Sequence, residues 1–230
     1  EYCGAGGEAT QAQLNGTPRA ITGLPIRQAI GRVCRDEAAR QLGLEAHRPT
    51  ALILGGSQGS RSVNQLVCQM LSELDGQERR SWQFIHLTGS SDYTAVQQAY
   101  SAAGVACRVA PHLSAMAEAY AMADVVVARA GASTVAELAQ CGTPAVLIPY
   151  PYAGGHQQEN ARLVEAIGAG VRLEEATTTP QGLLRMLRQL MRDARCREIM
   201  GEQMRTLARP DATQRLAQAI TTLAAIHAER

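Results

Sequence analysis

The sequence contains no lysine, and all 22 of its basic residues are arginines. Together with 21 acidic residues they leave a formal net charge of only +1, which argues against nucleic acid or another polyanion as a partner. Aromatic residues make up 3% of the chain, so a core must be built mainly from the aliphatic part of the 46% apolar residues. No run of about 18 apolar residues occurs, as a membrane-spanning helix would need.

The sequence also lacks the motifs of several enzyme classes. Its six cysteines are scattered without a C-x-x-C pair, which indicates reduced thiols, typical of the cytoplasm, and no zinc site. The fingerprints G-x-G-x-x-G and G-x-x-x-x-G-K-[ST] are absent, which argues against a nicotinamide-dependent oxidoreductase and against a P-loop enzyme. No D-x-D sequence is present to hold a metal beside a nucleotide-sugar diphosphate, so we predict no metal site. We also predict that the protein uses no cofactor.

Short apolar runs alternate with stretches of helical spacing about six times, from Thr50–Leu54 to Val171–Leu173. Such alternation predicts an α/β fold with a Rossmann-like, doubly wound parallel sheet and ligands at the carboxyl ends of its strands. We expect residues 21–210 to form one ligand-binding domain and residues 211–230 a C-terminal helix. Residues 1–20 show no clear period and are expected to be the remnant of a linker or of an N-terminal domain.

The most informative stretch reads ADVVVARAGASTVAELAQCGTPAVLIPYPYAGGHQQEN. A β-branched strand leads into a small-residue turn at Gly131, and Ser133 and Thr134 are predicted to cap the helix that follows. Free backbone N–H groups and the helix dipole favour a phosphate there. Glu137, one turn later, would repel an adjacent phosphate but suits a ribose diol, so a nucleotide diphosphate fits better than a lone phosphate. A crossover helix without a ligand is the alternative.

A second glycine-rich loop, Gly55–Ser60, follows the strand at Thr50–Leu54. Its backbone can approach a ligand closely, and Ser57 adds a hydroxyl donor; a tight strand–helix turn is the alternative. Arg27, before this unit, is an isolated cation that either faces a ligand or is solvated.

Four arginines follow one another at helical spacing near the carboxyl end of the chain: Arg185, Arg188, Arg192 and Arg195. Such a stripe is typical of a solvated helix face, and the alternative is contact with anionic lipid headgroups.

Five pieces of the sequence, taken in order, resemble the MurG family of glycosyltransferases. They are ITGLPIR, LILGGSQGSRSVN, the long stretch quoted above, HQQENA within it, and RPDATQRLA, and they cover roughly residues 19–220. The resemblance implies the C-terminal, donor-binding half of a GT-B fold. It also implies metal-independent, inverting transfer of N-acetylglucosamine (GlcNAc) from UDP-GlcNAc to undecaprenyl-pyrophosphoryl-MurNAc-pentapeptide, which converts lipid I to lipid II in peptidoglycan synthesis.

The resemblance also implies which residues bind UDP-GlcNAc. These are Arg27, Ser57, Leu113, Ala132, Ser133, Thr134, Val135, Ala136, Glu137, Gln157, Gln158 and Asn160. The uracil would lie by the Leu113 backbone, the ribose on Glu137, the diphosphate near Ser57 and the helix start, and the sugar on Gln157. The sequence departs from the family pattern at Leu24, Ala130 and Gly155, where Asn, Ser and Asp are usual.

The family's N-terminal half carries the proposed general base, the pocket for the lipid I acceptor and the membrane-docking patch, and nothing in this sequence matches it. We therefore expect the catalytic base to come from that half, and this chain alone to bind donor weakly without turnover. The resemblance implies a peripheral location on the cytoplasmic face of the bacterial membrane. The alternatives are a non-catalytic nucleotide-sugar-binding subunit that needs a separate N-terminal subunit, and a related glycolipid glycosyltransferase.

Overall fold

The computed structural model of the protein describes residues 21–56 and 58–228, so the predicted linker remnant at 1–20 lies outside the described residues. Within this part of the chain there are six strands: Thr50–Leu54 (β1), Gln83–Leu87 (β2), Ala106–Ala110 (β3), Val125–Ala128 (β4), Ala145–Leu147 (β5) and Gly170–Arg172 (β6). The same residues form ten helices: Arg35–Leu42 (α1), Arg61–Ser72 (α2), Gly76–Ser81 (α3), Tyr93–Ala103 (α4), Met116–Met122 (α5), Ala132–Cys141 (α6), His156–Ala166 (α7), Pro180–Arg192 (α8), Ala194–Arg205 (α9) and Ala212–Ala228 (α10).

The six strands form one parallel sheet in the order β3-β2-β1-β4-β5-β6. At its centre β1 pairs with β2 on one side and β4 on the other, so that Leu54 lies between Leu87 and Ala128. The chain builds outward from β1 to β3 and then in the opposite direction from β4 to β6. This doubly wound arrangement is the predicted one, and it places the reversal of strand order between β1 and β4.

The central strand β1 is buried along its whole length. Ala51 and Ile53 pack into the hydrophobic cluster on one face of the sheet, and Leu52 and Leu54 pack into the cluster on the other. A strand covered by helices on both faces must be apolar at every position, which is why its sequence is a continuous run rather than an alternating pattern.

The stretch ITGLPIR is expected to be a strand end followed by a turn, but residues 21–27 form no strand. The short helix α3 is an element that the sequence did not indicate. The helical stretch after residue 180 is also divided, because the Asp193 carboxylate accepts the backbone N–H of Cys196 at 2.8 Å and starts α9. An N-cap of this kind favours a new helix start over continuation.

The predicted arginine stripe is thereby split between two helices, and part of it has a structural contact. Arg188 donates two hydrogen bonds to the buried Glu78 carboxylate, at 2.6 and 3.0 Å, and Arg192 donates a third at 2.9 Å. These arginines join α8 to α3, so the stripe is not simply a solvated or lipid-facing surface.

Of the helices in the described ranges, none has both the length and the apolar character needed to cross a membrane.

A buried polar network lies under the carboxyl half of β2. The ring of His86 contacts the Tyr100 hydroxyl through Nδ1 at 3.2 Å and the Asn64 side-chain oxygen through Nε2 at 3.0 Å. The Asn64 amide nitrogen donates to the Thr88 carbonyl and to Asp92, so its oxygen faces His86 and Nε2 must be the protonated nitrogen. Burial lowers the pKa of His86 from 6.5 to about 3, and the imidazole is therefore neutral in the folded protein.

We expect the free energy of unfolding to fall by about 2 kcal/mol between pH 7 and pH 5 through His86 alone. The unfolded chain takes up a proton on this residue below about pH 6.5, whereas the folded protein resists protonation down to about pH 3. Denaturant unfolding at several pH values measures the slope, which should be smaller in the His86→Gln variant. The exposed His47, replaced in the same way, serves as the control and should leave the slope unchanged. Equal slopes in wild type and His86→Gln would contradict the assignment.

Candidate functional site

A cleft opens at the carboxyl edge of the sheet where the strand order reverses. The loop after β1 and the turn after β4 diverge there toward opposite faces, because β1 and β4 are neighbours whose helices pack on different sides. Open α/β sheets bind their ligands in this crevice. The predicted location of the site is thus where the topology creates a gap.

The cleft consists of two adjoining cavities of about 440 and 710 Å³. Gly56, Ser133 and Thr134 line both of them and form the shared middle. At one end the smaller cavity is lined by aliphatic side chains such as Leu113 and Met116 together with charged ones. The larger cavity at the other end is lined by glycines and by side chains that carry polar groups. An elongated ligand with a planar ring at one end and hydroxyl groups at the other would match this difference in lining residues.

The helix α6 begins in the middle of the cleft. Its N-cap is Gly131 and carries no side-chain cap, so the prediction that Ser133 and Thr134 cap the helix was wrong. Ser133 and Thr134 both lie inside the first turn of the helix. The first hydrogen bond of the helix is donated by the backbone N–H of Val135 to the Gly131 carbonyl at 3.0 Å. The N–H groups before Val135 have no intrahelical acceptor and, with the helix dipole, favour an anion. A helix start without a side-chain cap leaves its N–H groups available, so it suits an anionic ligand better than the predicted capped start would.

The carboxylate of Glu137 lies on the wall of the smaller cavity, one turn along α6. The hydroxyl of Tyr120 donates to its Oε2 at 2.8 Å and so fixes the orientation of the carboxylate. Burial and then the charge of Glu137 raise the pKa of Tyr120 well above its ordinary value, which keeps the hydroxyl protonated as a donor. Arg27 also lines the smaller cavity and places a positive charge at this end of the cleft. The carboxylate keeps lone pairs free for two further donors, such as the hydroxyls of a diol.

Arg129, the residue after β4, is buried in the wall of the larger cavity. Its guanidinium donates to the Oγ atoms of Ser60 and Ser62 at 2.9 and 2.8 Å. It also donates to the Ile148 carbonyl at 3.0 Å and forms a bidentate pair with Glu175 at 3.0 and 2.9 Å. Hydrogen bonds from Arg129 hold the pKa of the Glu175 carboxyl below its ordinary value. One side chain thus ties together the segments that follow β1, β5 and β6.

Gln157 and Tyr150 complete the larger cavity. The backbone N–H of Tyr150 donates to the side-chain Oε1 of Gln157 at 2.9 Å. A backbone N–H can only donate, so the amide oxygen of Gln157 must face it, and the NH₂ group remains for a ligand.

The structure brings six of the predicted contact residues to the walls of the cleft: Arg27, Leu113, Ser133, Thr134, Glu137 and Gln157. Ala132, Val135 and Ala136 lie in the first turns of α6 without lining either cavity, and Ser57 lies outside the described residues. Asn160 is buried and donates to the Ala130 carbonyl at 2.9 Å, which braces the turn before α6.

Gln158 lines neither cavity. Its amide nitrogen lies 3.3 Å from Glu174, and its oxygen is buried without a hydrogen-bond partner among the described residues. A direct contact between this side chain and a ligand in the cleft would require another rotamer.

Sequence reasoning missed Arg129, Tyr120 and Tyr150. A charged residue directly after a buried strand was the available signal for Arg129, because such a charge needs a partner. Its partners come from distant segments, which the sequence does not identify.

Within residues 21–56 and 58–228, no three His, Cys, Asp or Glu side chains are grouped so as to hold a metal ion.

Comparison with protein families matches residues 50–216 to the glycosyltransferase family 28 C-terminal domain. A UDP-N-acetylglucosamine–N-acetylmuramyl-(pentapeptide) pyrophosphoryl-undecaprenol N-acetylglucosamine transferase from Halorhodospira halophila is 42% identical over 214 residues, which are 89% of this chain and 58% of the relative. The enzyme of the same name from Desulfitobacterium hafniense is 37% identical over 202 residues, which are 85% of this chain and 54% of the relative. The chain therefore spans about half the length of the curated relatives it matches.

Among solved structures, the crystal structure of MurG from Acinetobacter baumannii superimposes with a TM-score of 0.67 at 31% identity. The superposition covers 83% of this chain and 53% of that one.

Proposed function

The chain belongs to the glycosyltransferase family 28 C-terminal domain family, and we propose on that premise that its cleft binds UDP-GlcNAc as the donor of a glycosyl transfer. The predicted fold class, the C-terminal half of a GT-B glycosyltransferase, is confirmed by the family match and by the likeness to MurG. We assign the donor-binding domain to residues 21–210 and the C-terminal helix to residues 211–230.

The observation that carries the proposal is the uncapped start of α6 in the middle of the cleft, with Glu137 one turn away on the same wall. A diphosphate at Ser133 and Thr134 would accept the free backbone N–H groups. Its nucleoside would then extend into the smaller cavity, where the Glu137 carboxylate accepts both ribose hydroxyls and the uracil lies at Leu113. A nucleoside diphosphate carries its diphosphate and its ribose diol on neighbouring groups, and the amide-rich turn and the carboxylate lie one helical turn apart on α6.

The sugar extends in the other direction, toward the NH₂ group of Gln157. We retain Ser57, Ala132, Val135, Ala136, Gln158 and Asn160 as proposed contacts or supports of the donor. The leaving UDP is stabilised by the backbone N–H groups of α6 and by Arg27 rather than by a metal ion. Attack by an acceptor hydroxyl from the side opposite to UDP inverts the anomeric carbon.

The acceptor of the proposed reaction is undecaprenyl-pyrophosphoryl-MurNAc-pentapeptide, as the names of the relatives indicate. A general base must remove the proton of its hydroxyl, and we assign both the base and the acceptor pocket to the part of the relatives that this chain does not span. Because that acceptor is anchored in lipid, the complete enzyme works at the cytoplasmic face of the membrane as a peripheral protein. The donor-binding domain by itself binds UDP-GlcNAc without turning it over.

A second candidate is a non-catalytic nucleotide-sugar-binding subunit that pairs with a separate acceptor-binding polypeptide. The coding sequence decides between the two, because an in-frame upstream half indicates one polypeptide and a neighbouring reading frame indicates two.

Calorimetric titration tests the donor site. We expect UDP to bind with measurable heat and GDP to bind at least several-fold more weakly, because the cavity of about 440 Å³ at the base end would have to accommodate the second ring of a purine. Equal heats for UDP and GDP, or none for UDP at millimolar concentration, would overturn the assignment. Incubation with UDP-GlcNAc and a lipid I analogue should yield no product.

A further inference from the structure

Tyr150 is an aromatic side chain at the sugar end of the cleft to which the proposed function gives no task. It lines the larger cavity and is 44% exposed. Its position in the wall of a cleft, rather than its exposure alone, makes contact with a bound ligand the natural role for the ring.

The ring is exposed but held in place. The guanidinium carbon of Arg129 lies 5.3 Å from the ring centre, and the ring of Tyr152 packs against it at 5.6 Å and an interplanar angle of 71°. The backbone of Tyr150 is fixed by its bond to Gln157. Arg129 is itself held by Glu175 and by the serines of the loop after β1. A ring backed in this way offers a surface that does not have to be ordered when a ligand binds.

The order of groups along the cleft identifies what reaches Tyr150. Leu113 and Glu137 line only the smaller cavity, the start of α6 lines both, and Tyr150 lines only the larger one. A diphosphate at the shared stretch with its nucleoside on Glu137 directs its other substituent toward Tyr150. In a UDP-sugar that substituent is the pyranose.

We propose that Tyr150 is a specificity-determining residue whose ring stacks against the C–H face of the donor hexose. The inference rests on the proposed function. A pyranose carries weakly positive C–H groups on its faces, and the face of an aromatic ring is negative. Glu175 offsets the charge of Arg129 behind the ring, and the NH₂ group of Gln157 beside it donates to a sugar hydroxyl. Stacking on Tyr150 and hydrogen bonding to Gln157 thus recognise the sugar, while the residues of the smaller cavity recognise the nucleotide.

Calorimetry with two probes, UDP and UDP-GlcNAc, isolates this contact. In the Tyr150→Ala variant we expect the affinity for UDP-GlcNAc to fall about 3- to 10-fold and the affinity for UDP to stay unchanged. Tyr150→Phe retains the ring and should bind both ligands as wild type does. Tyr93→Ala is the matched control, because this tyrosine at the start of α4 lines neither cavity of the cleft and is not part of the support of Tyr150, and it should change either affinity by less than about twofold.

Saturation-transfer NMR provides a second readout. Irradiation of the protein's aromatic protons should transfer to the sugar-ring protons of UDP-GlcNAc in wild type and Tyr150→Phe, and this transfer should be lost in Tyr150→Ala while the uridine signals persist. The inference alone is overturned if wild type binds both ligands and Tyr150→Ala weakens them equally or not at all. If wild type binds neither ligand, the proposed function itself is wrong and the inference is lost with it.

Discussion

Replacement of Glu137 by alanine is expected to weaken UDP binding about 10- to 100-fold, because it removes a charged acceptor from two ribose hydroxyls. The carboxylate is oriented before ligand arrives by the Tyr120 hydroxyl, 2.8 Å from its Oε2. Hydrogen bonds to a pre-oriented ionised group contribute more to binding than those between neutral groups. Titration calorimetry with UDP gives the ratio of dissociation constants directly.

Glu118 provides the matched control for this change. It is a glutamate of the neighbouring helix α5 but lines neither cavity of the cleft. Glu118→Ala should therefore bind UDP like wild type. Comparable losses in both variants would mean that Glu137 acts through net charge rather than through contact, and an unaffected Glu137→Ala would remove the ribose from the proposed position.

Replacement of Gly59 by alanine should cost about 3 kcal/mol of stability or displace the loop after β1. Gly59 has a φ of +78°, and a Cβ atom there would lie 2.0 Å from the Thr88 carbonyl oxygen. Gly89 meets the same loop from the other side, with its Cβ position 2.2 Å from the Gln58 carbonyl oxygen. Two backbones in direct contact leave no side chain that could yield. Chemical denaturation measures the loss of stability, and the affinity for UDP should fall with it.

The control for the glycine change is Gly104→Ala. Gly104 ends α4 with a φ of +64°, and no heavy atom lies within 4 Å of its Cβ position. This variant carries the left-handed backbone penalty of about 1 kcal/mol without a clash. A Gly59→Ala variant that is no less stable than Gly104→Ala would show that the loop adapts, and the tight backbone contact would then have no energetic importance.

The two glycine-rich turns illustrate how far the sequence could be interpreted. The loop Gly55–Ser60 was predicted to let backbone approach a ligand, and Gly56 does line both cavities. Gly59 instead lets this loop pack on the segment after β2. The sequence could not show this contact, because it joins two segments about 30 residues apart in the chain. The cap of α6 was predicted from good N-cap residues, but the N-cap lies two residues before Ser133, and the preference of a residue type does not fix a boundary to one position.

By itself the sequence determined the alternation of strands and helices, the buried parallel sheet and the anion-favouring turn before Glu137. These features depend on local periodicity and on chain geometry, which neighbouring residues fix. Only the tertiary structure decided the strand order that places β1 beside β4, that Tyr120 orients Glu137, and that Arg129 joins three segments behind Tyr150. Each of these contacts connects residues far apart in the chain, and the strand order that brings them together follows from packing of the whole sheet rather than from any one stretch of sequence.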